Sequence, residues 1–174
     1  MTSKKERPSA LERLWAPWRQ SYISLAQSPE NETACFMCEG IADDRDRERL
    51  LVHRGVHSVV MLNRFPYNNG HLLVAPRRHH GALEGLERDE VLDIQQTLAR
   101  MVTALTTLLR PDGFNVGLNL GRAAGAGLPG HLHWHVVPRW NGDTNFMPVL
   151  SNAKVISQSL ESLYDLLAAH LRNP

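Results

Sequence analysis

The chain has little of what would place it outside the ordinary cell interior. Its 174 residues hold two cysteines, Cys35 and Cys38, too few for the multi-disulfide framework of a small secreted domain. No apolar run approaches the roughly 20 residues that a membrane-spanning helix needs. The opening stretch, Met1-Thr2-Ser3-Lys4-Lys5-Glu6-Arg7-Pro8, lacks the apolar centre of a secretion signal. Charge of one sign is missing too: 19 Lys and Arg stand against 18 Asp and Glu, a formal net charge of +1. Nothing in that balance draws the chain to nucleic acid or to a membrane surface. A cytoplasmic protein with no membrane and no nucleic-acid partner is expected. In that setting the C-x-x-C pair reads as half of a metal site or a redox pair, with two free buried thiols as the plain alternative.

What is present suits one domain with a buried core: 43% of the residues are hydrophobic and the length is ordinary. Residues 1–34 read as a polar, proline-punctuated arm in which Ser9 and Glu12 have capping-box spacing, followed by Trp15, Pro17 and Trp18. Two tryptophans are costly to leave in water, so the arm is expected to pack on the domain, residues 35–174, or on a partner subunit. The polar run 43–49 reads as a solvated turn or helix face. Runs rich in Val and Leu at 50–53, 58–62, 71–75, 114–120 and 131–137 predict strands. Between 87 and 109, Val91, Ile94, Leu98, Met101, Val102, Leu105 and Leu109 recur at three-and-four spacing, which predicts one long helix. A last helix is expected over 155–171. Strands joined by short turns, one long inserted helix and a C-terminal helix predict an α+β fold built on an antiparallel sheet of about five strands.

The chemistry concentrates in His131-Leu132-His133-Trp134-His135-Val136-Val137. Side chains alternate along a strand, so the three histidines would share one face, about 7 Å apart, while Leu132, Trp134 and Val136 anchor the other. Imidazole can serve as nucleophile at phosphorus, proton donor or metal ligand; the bland alternative is a surface trio with no joint role. Just upstream, the glycine-rich loop 121–130 offers backbone N–H groups to an anion, with Gly125 and Gly127 as candidate phosphate contacts. A flexible hairpin connection is the other reading of such a loop.

These residues carry a resemblance. The pattern H-φ-H-φ-H-φ-φ, with φ apolar, is the signature of the histidine-triad (HIT) superfamily, and residues 131–137 match it at every position. The stretches 14–23 and 114–121 and the step Pro138-Arg139-Trp140 look like the bacterial diadenosine-tetraphosphate phosphorylase branch. The resemblance implies a HIT-like fold, homodimeric assembly, and nucleotidyl transfer or hydrolysis on a dinucleoside polyphosphate through a nucleotidyl-histidine intermediate. It assigns His133 as nucleophile, His135 as the group that contacts and protonates the leaving phosphate, and His131 as the third member of the catalytic triad. Asn63, His71, Asn119 and Trp140 would join Gly125 and Gly127 in holding the nucleotide; for Asn63 and Asn119 plain turn chemistry is the alternative. The loop 126–130 lacks the serine that many members carry before the triad, which weighs against phosphorolysis. The resemblance also implies a structural zinc on Cys35, Cys38, His79 and His131, with His80 as a substitute for His79. Competing readings are hydrolysis of adenosine phosphoramidate-type or other nucleoside monophosphate conjugates, and a nucleotide-binding protein with weak activity.

Overall fold

The computed structural model describes residues 35–144 and 155–172. The predicted arm, with Trp15 and Trp18, lies outside the described residues. Helices α1 (Phe36–Ala42) and α2 (Asp46–Arg49) lead into strands β1 (Leu51–Arg54), β2 (Ser58–Leu62) and β3 (Leu72–Pro76). The long helix α3 (Arg88–Leu109) follows, then β4 (Gly113–Leu118), β5 (Trp134–Arg139) and α4 (Leu160–Arg172). All pairings are antiparallel and the strand order is β1-β2-β3-β5-β4. This is the expected α+β architecture.

The period-2 pattern of the strands explains how the sheet is covered. On one face, Leu72, Val74 and Val136 pack against Ile94, Leu98, Met101 and Leu105 of α3 and Leu163 and Leu167 of α4. Each such residue contributes about 1.5–3 kcal/mol by leaving water. On the other face, Leu51, Val59, Met61, Leu73 and Ala75 form a second cluster with Met37 of α1. That cover reaches only the β1–β3 side. Among the described residues the matching face of β4 and β5 is uncovered, and the candidate site residue His135 lies there.

Local chemistry fixes the parts that frame the site. Arg54 donates to the carbonyl oxygens of Gly40, Ile41 and Asp43 and to the Asp46 carboxylate, tying the end of α1 to the sheet. Glu90 accepts from the backbone N–H of Glu87 at the start of α3 and from the Arg78 guanidinium. The residue next to His79 is thereby pinned to the helix.

Two starting points differ from the sequence reading by three residues or more. The strand expected over 131–137 runs instead from Trp134 to Arg139. Its ladder with β3 begins at Val74↔Trp134. Beyond it, Pro76 has no N–H to give and its carbonyl accepts from His131 Nε2, while Leu132 donates its N–H to His80 O. The ladder therefore has no partner for 131–133. The C-terminal helix starts at Leu160, five residues later than expected, with Ser159 Oγ accepting from Ser162 N in its first turn.

Candidate active site

Backbone groups set the protonation of the triad region. The His133 Nδ1 lies 2.8 Å from the carbonyl oxygen of His131. A carbonyl can only accept, so Nδ1 carries the proton and Nε2 keeps its lone pair. Burial lowers the His133 pKa, favouring the neutral ring. His133 is thus a neutral imidazole with a free Nε2, the form a nucleophile needs.

His135 is set the opposite way, by a chain of bonds. The backbone N–H of Tyr67 donates to His71 Nδ1 at 3.0 Å. His71 must then carry its proton on Nε2, which lies 2.9 Å from His135 Nδ1. With Nδ1 accepting, the neutral His135 presents an N–H at Nε2. Asn119 lies 3.4 Å from that nitrogen; amide orientation is inferred from partners, and this tautomer calls for the Asn119 oxygen there. Burial, and then the neighbouring rings His135 and His133, push His71 down to about 3. Burial and His133 lower His135 to about 4. Both rings are neutral near pH 7, so the tautomer chain is closed. The His133 and His135 rings stand edge to face with centroids 5.1 Å apart. A lone pair on one ring and a proton on its neighbour are what displacement at phosphorus requires.

The open face of β4 and β5 forms a cleft of about 450 Å³ beside His135. Tyr67 stacks on His135 at one end, with centroids 5.6 Å apart and planes 21° from parallel. Asn115, Asn119 and Arg139 also line it.

The third histidine of the signature belongs elsewhere. His131 is fully buried. Its Nε2 donates to Pro76 O at 2.8 Å, and its Nδ1 faces Cys35 Sγ at 3.2 Å and Cys38 Sγ at 3.6 Å. Both ring nitrogens are engaged, and this ring has the orientation of a metal ligand. His79 Nδ1 lies 3.2 Å from Cys38 Sγ, and the four donor atoms all lie within 4.8 Å of one another. A tetrahedral zinc with S and N ligands would set sulfur and nitrogen about 3.5–3.6 Å apart, so the cluster fits such an ion. Burial, together with the Cys35 hydrogen bond and charge, pushes Cys38 up to about 11, which a bound cation would reverse. His80 does not substitute for His79. Its ring packs over Gly85, where any Cβ would collide with it, and its buried Nε2 has no hydrogen-bond partner among the described residues.

The nucleotide contacts expected from the sequence divide. Asn119 reaches His135 and the cleft. His71 is fully buried and reaches the cleft through its contact with His135. Asn63 accepts from Phe65 N, the local turn of its alternative reading, and its amide also lies 3.3 Å from His71 Nδ1. Trp140 donates its indole N–H to Arg110 O and lines a separate cavity with Asn69, Leu109 and Asp143. Gly125 takes φ of 92°, a conformation suited to glycine, at the end of the short turn Arg122–Ala124; neither it nor Gly127 lines the cleft beside His135. Sequence reasoning passed over Tyr67 and Arg139 as site residues. The period-2 pattern of β5 places Arg139 on the His135 face, whereas Tyr67 acts through a backbone N–H that no residue type announces.

Residues 46–142 match the HIT domain family. The chain belongs to that family of histidine-triad proteins. It is 41% identical over 162 residues to AP-4-A phosphorylase of Mycobacterium tuberculosis, covering 91% of this chain and 83% of that protein. A zinc-bound histidine triad family protein from Mycobacterium smegmatis has a similar structure, with TM-score 0.64 and 26% identity over 82% of this chain and 96% of that one. A histidine triad nucleotide-binding protein from Sulfolobus tokodaii shares the fold, with TM-score 0.63 and 24% identity over 80% of this chain and 93% of that one. No helix among the described residues is long and apolar enough to cross a membrane.

Proposed function

We propose that this protein is a nucleotidyl-transferring enzyme that splits dinucleoside polyphosphates of the diadenosine-tetraphosphate type. The observation that carries the reading is the opposed protonation of two adjacent rings, His133 with a free Nε2 and His135 with an Nε2 proton. The likeness to a protein named AP-4-A phosphorylase supports the substrate class. In the first half-reaction His133 Nε2 attacks the α-phosphorus, a P–N bond forms, and the P–O bond to the rest of the polyphosphate breaks. The departing oxygen leaves as a phosphate anion, and the His135 Nε2–H steadies its charge by a hydrogen bond. In the second half, an oxygen of water or phosphate attacks the nucleotidyl phosphorus, the P–N bond breaks and its electron pair returns to His133 Nε2, and the proton of an attacking water passes to solvent.

Cys35, Cys38, His79 and His131 would hold a structural zinc that fixes α1 and the segment after β3 to the base of the histidine strand. It would stand outside the chemistry. A cytoplasmic homodimer fits the remaining features. The test is incubation with diadenosine tetraphosphate, with and without phosphate, and chromatographic identification of the products. ADP formed only with phosphate marks phosphorolysis; AMP and ATP mark hydrolysis. His133→Asn should lower turnover by at least about 10³-fold while nucleotide binding survives. Near-normal turnover in that variant would remove the covalent mechanism.

A further inference from the structure

The cleft on the open face of β4 and β5 runs from the reacting ring to Arg139. His135 and Arg139 project from the same face of β5, four residues and therefore about 13 Å apart. That span is longer than one phosphate can bridge. At its far end Arg139 is, among the described residues, the only charged side chain lining the cleft, and its charge is already matched. Nε and Nη2 donate to the two Asp143 oxygens at 2.6 and 2.9 Å, and Nη1 donates to Asn115 Oδ1 at 2.6 Å. Asp143 is itself held by Asn68 Nδ2 and the Trp140 backbone N–H. The guanidinium is thus fixed by its edge, with its charge compensated, while its side chain remains 46% exposed. A compensated cation is a poor receptor for a polyanion. A guanidinium plane held rigid by its edge is a stacking surface for a flat heterocycle, and the neighbouring Asn115 supplies an amide that can hydrogen-bond it.

We infer that the far end of this cleft binds the second nucleoside of the substrate, the one that departs, with its base stacked on the Arg139 guanidinium. Arg139 is then the residue that distinguishes a dinucleoside polyphosphate from a mononucleotide with the same phosphate chain. This rests on the dinucleoside reading of the substrate given above.

The test compares diadenosine tetraphosphate with adenosine 5′-tetraphosphate, which has the same phosphate chain and lacks the second nucleoside. Binding of each to His133→Asn protein is measured by calorimetry, so that no turnover is needed. Binding of the dinucleoside should be tighter by about tenfold, within the range of base stacking. Adding Arg139→Met should erase that preference, and Arg139→Lys should erase it as well because a lysine has charge but no plane. Should Arg139→Met fail to fold, Asn115→Ala in the same background should reduce the same ratio. Equal binding of the two ligands before Arg139 is changed, an equal loss for both, or full preference retained with lysine would overturn the inference. Failure of the proposed reaction gives a different result: no turnover of diadenosine tetraphosphate by the unaltered protein, with the binding preference and its dependence on Arg139 intact.

Discussion

His71 and His135 are separated by 64 residues of chain, yet His71 Nε2 lies 2.9 Å from His135 Nδ1. Because the Tyr67 backbone N–H occupies the other nitrogen of His71, this bond has one direction only. It fixes which nitrogen of His135 presents a proton to the cleft. On the proposed mechanism His71 positions His135, and its removal should affect the chemical step more than binding. His71→Phe keeps the bulk and loses the bond; kcat should fall by about 10²-fold with KM within a few-fold. His71→Gln, whose amide can donate to His135 Nδ1, should recover part of that loss. Steady-state kinetics of both variants decide the matter, and equal losses of kcat in the two would indicate a packing role alone.

The same burial makes stability depend on pH. His71 has a folded pKa of about 3 against 6.5 for the free side chain. Between those values the unfolded chain binds a proton that the folded one refuses, so stability is complete above pH 6.5 and declines as pH falls. Going from pH 6.5 to 5 should cost up to about 2 kcal/mol through His71. His135, lowered to about 4, adds a smaller share because it is partly open to solvent. Denaturant titrations at pH 7 and 5 should show this loss, and His71→Gln should flatten it. An unchanged slope in the variant would contradict the assignment.

Metal content is a direct measurement. Protein purified without added metal should carry about one zinc per chain, bound by two thiolates and two imidazoles. Cys38→Ser should lose it, with a fall in Tm of about 5–10 °C if the metal contributes 2–3 kcal/mol. Elemental analysis and a thermal melt on the same samples are sufficient. Metal-free protein of undiminished stability would refute the site.

Strand β4 lies at one edge of the sheet, and Val116 on it and Leu120 just after it are exposed. An edge strand with exposed apolar side chains invites a second copy of the chain. Light scattering at micromolar concentration should give about twice the 19.6 kDa of one chain. Val116→Lys should move the mass toward that of one chain. A single-chain mass for the unaltered protein would exclude the homodimer.

Much of this was legible in the amino-acid order, for reasons that are local. The long helix follows from apolar residues at three-and-four spacing, and the observed Arg88–Leu109 begins one residue inside the expected range. The strands follow from β-branched runs between turn residues, and 58–62 agrees at both ends. The side-chain alternation that points Trp134 and Val136 to the core also holds. What the order could not settle was the division of labour among the histidines. Identical imidazoles at 131, 133 and 135 acquire different tautomers and partners because each meets a different backbone group: the Pro76 carbonyl, the His131 carbonyl, and, through His71, the Tyr67 N–H. The Cys35 and Cys38 pair likewise meets His131 across 96 and 93 residues, and rejects His80 for His79, only once α1 is tied down beside β3. Periodicity reports which face a side chain takes. A tautomer or a ligand set depends on which distant polar groups arrive within about 3 Å, and packing of the whole chain alone decides that.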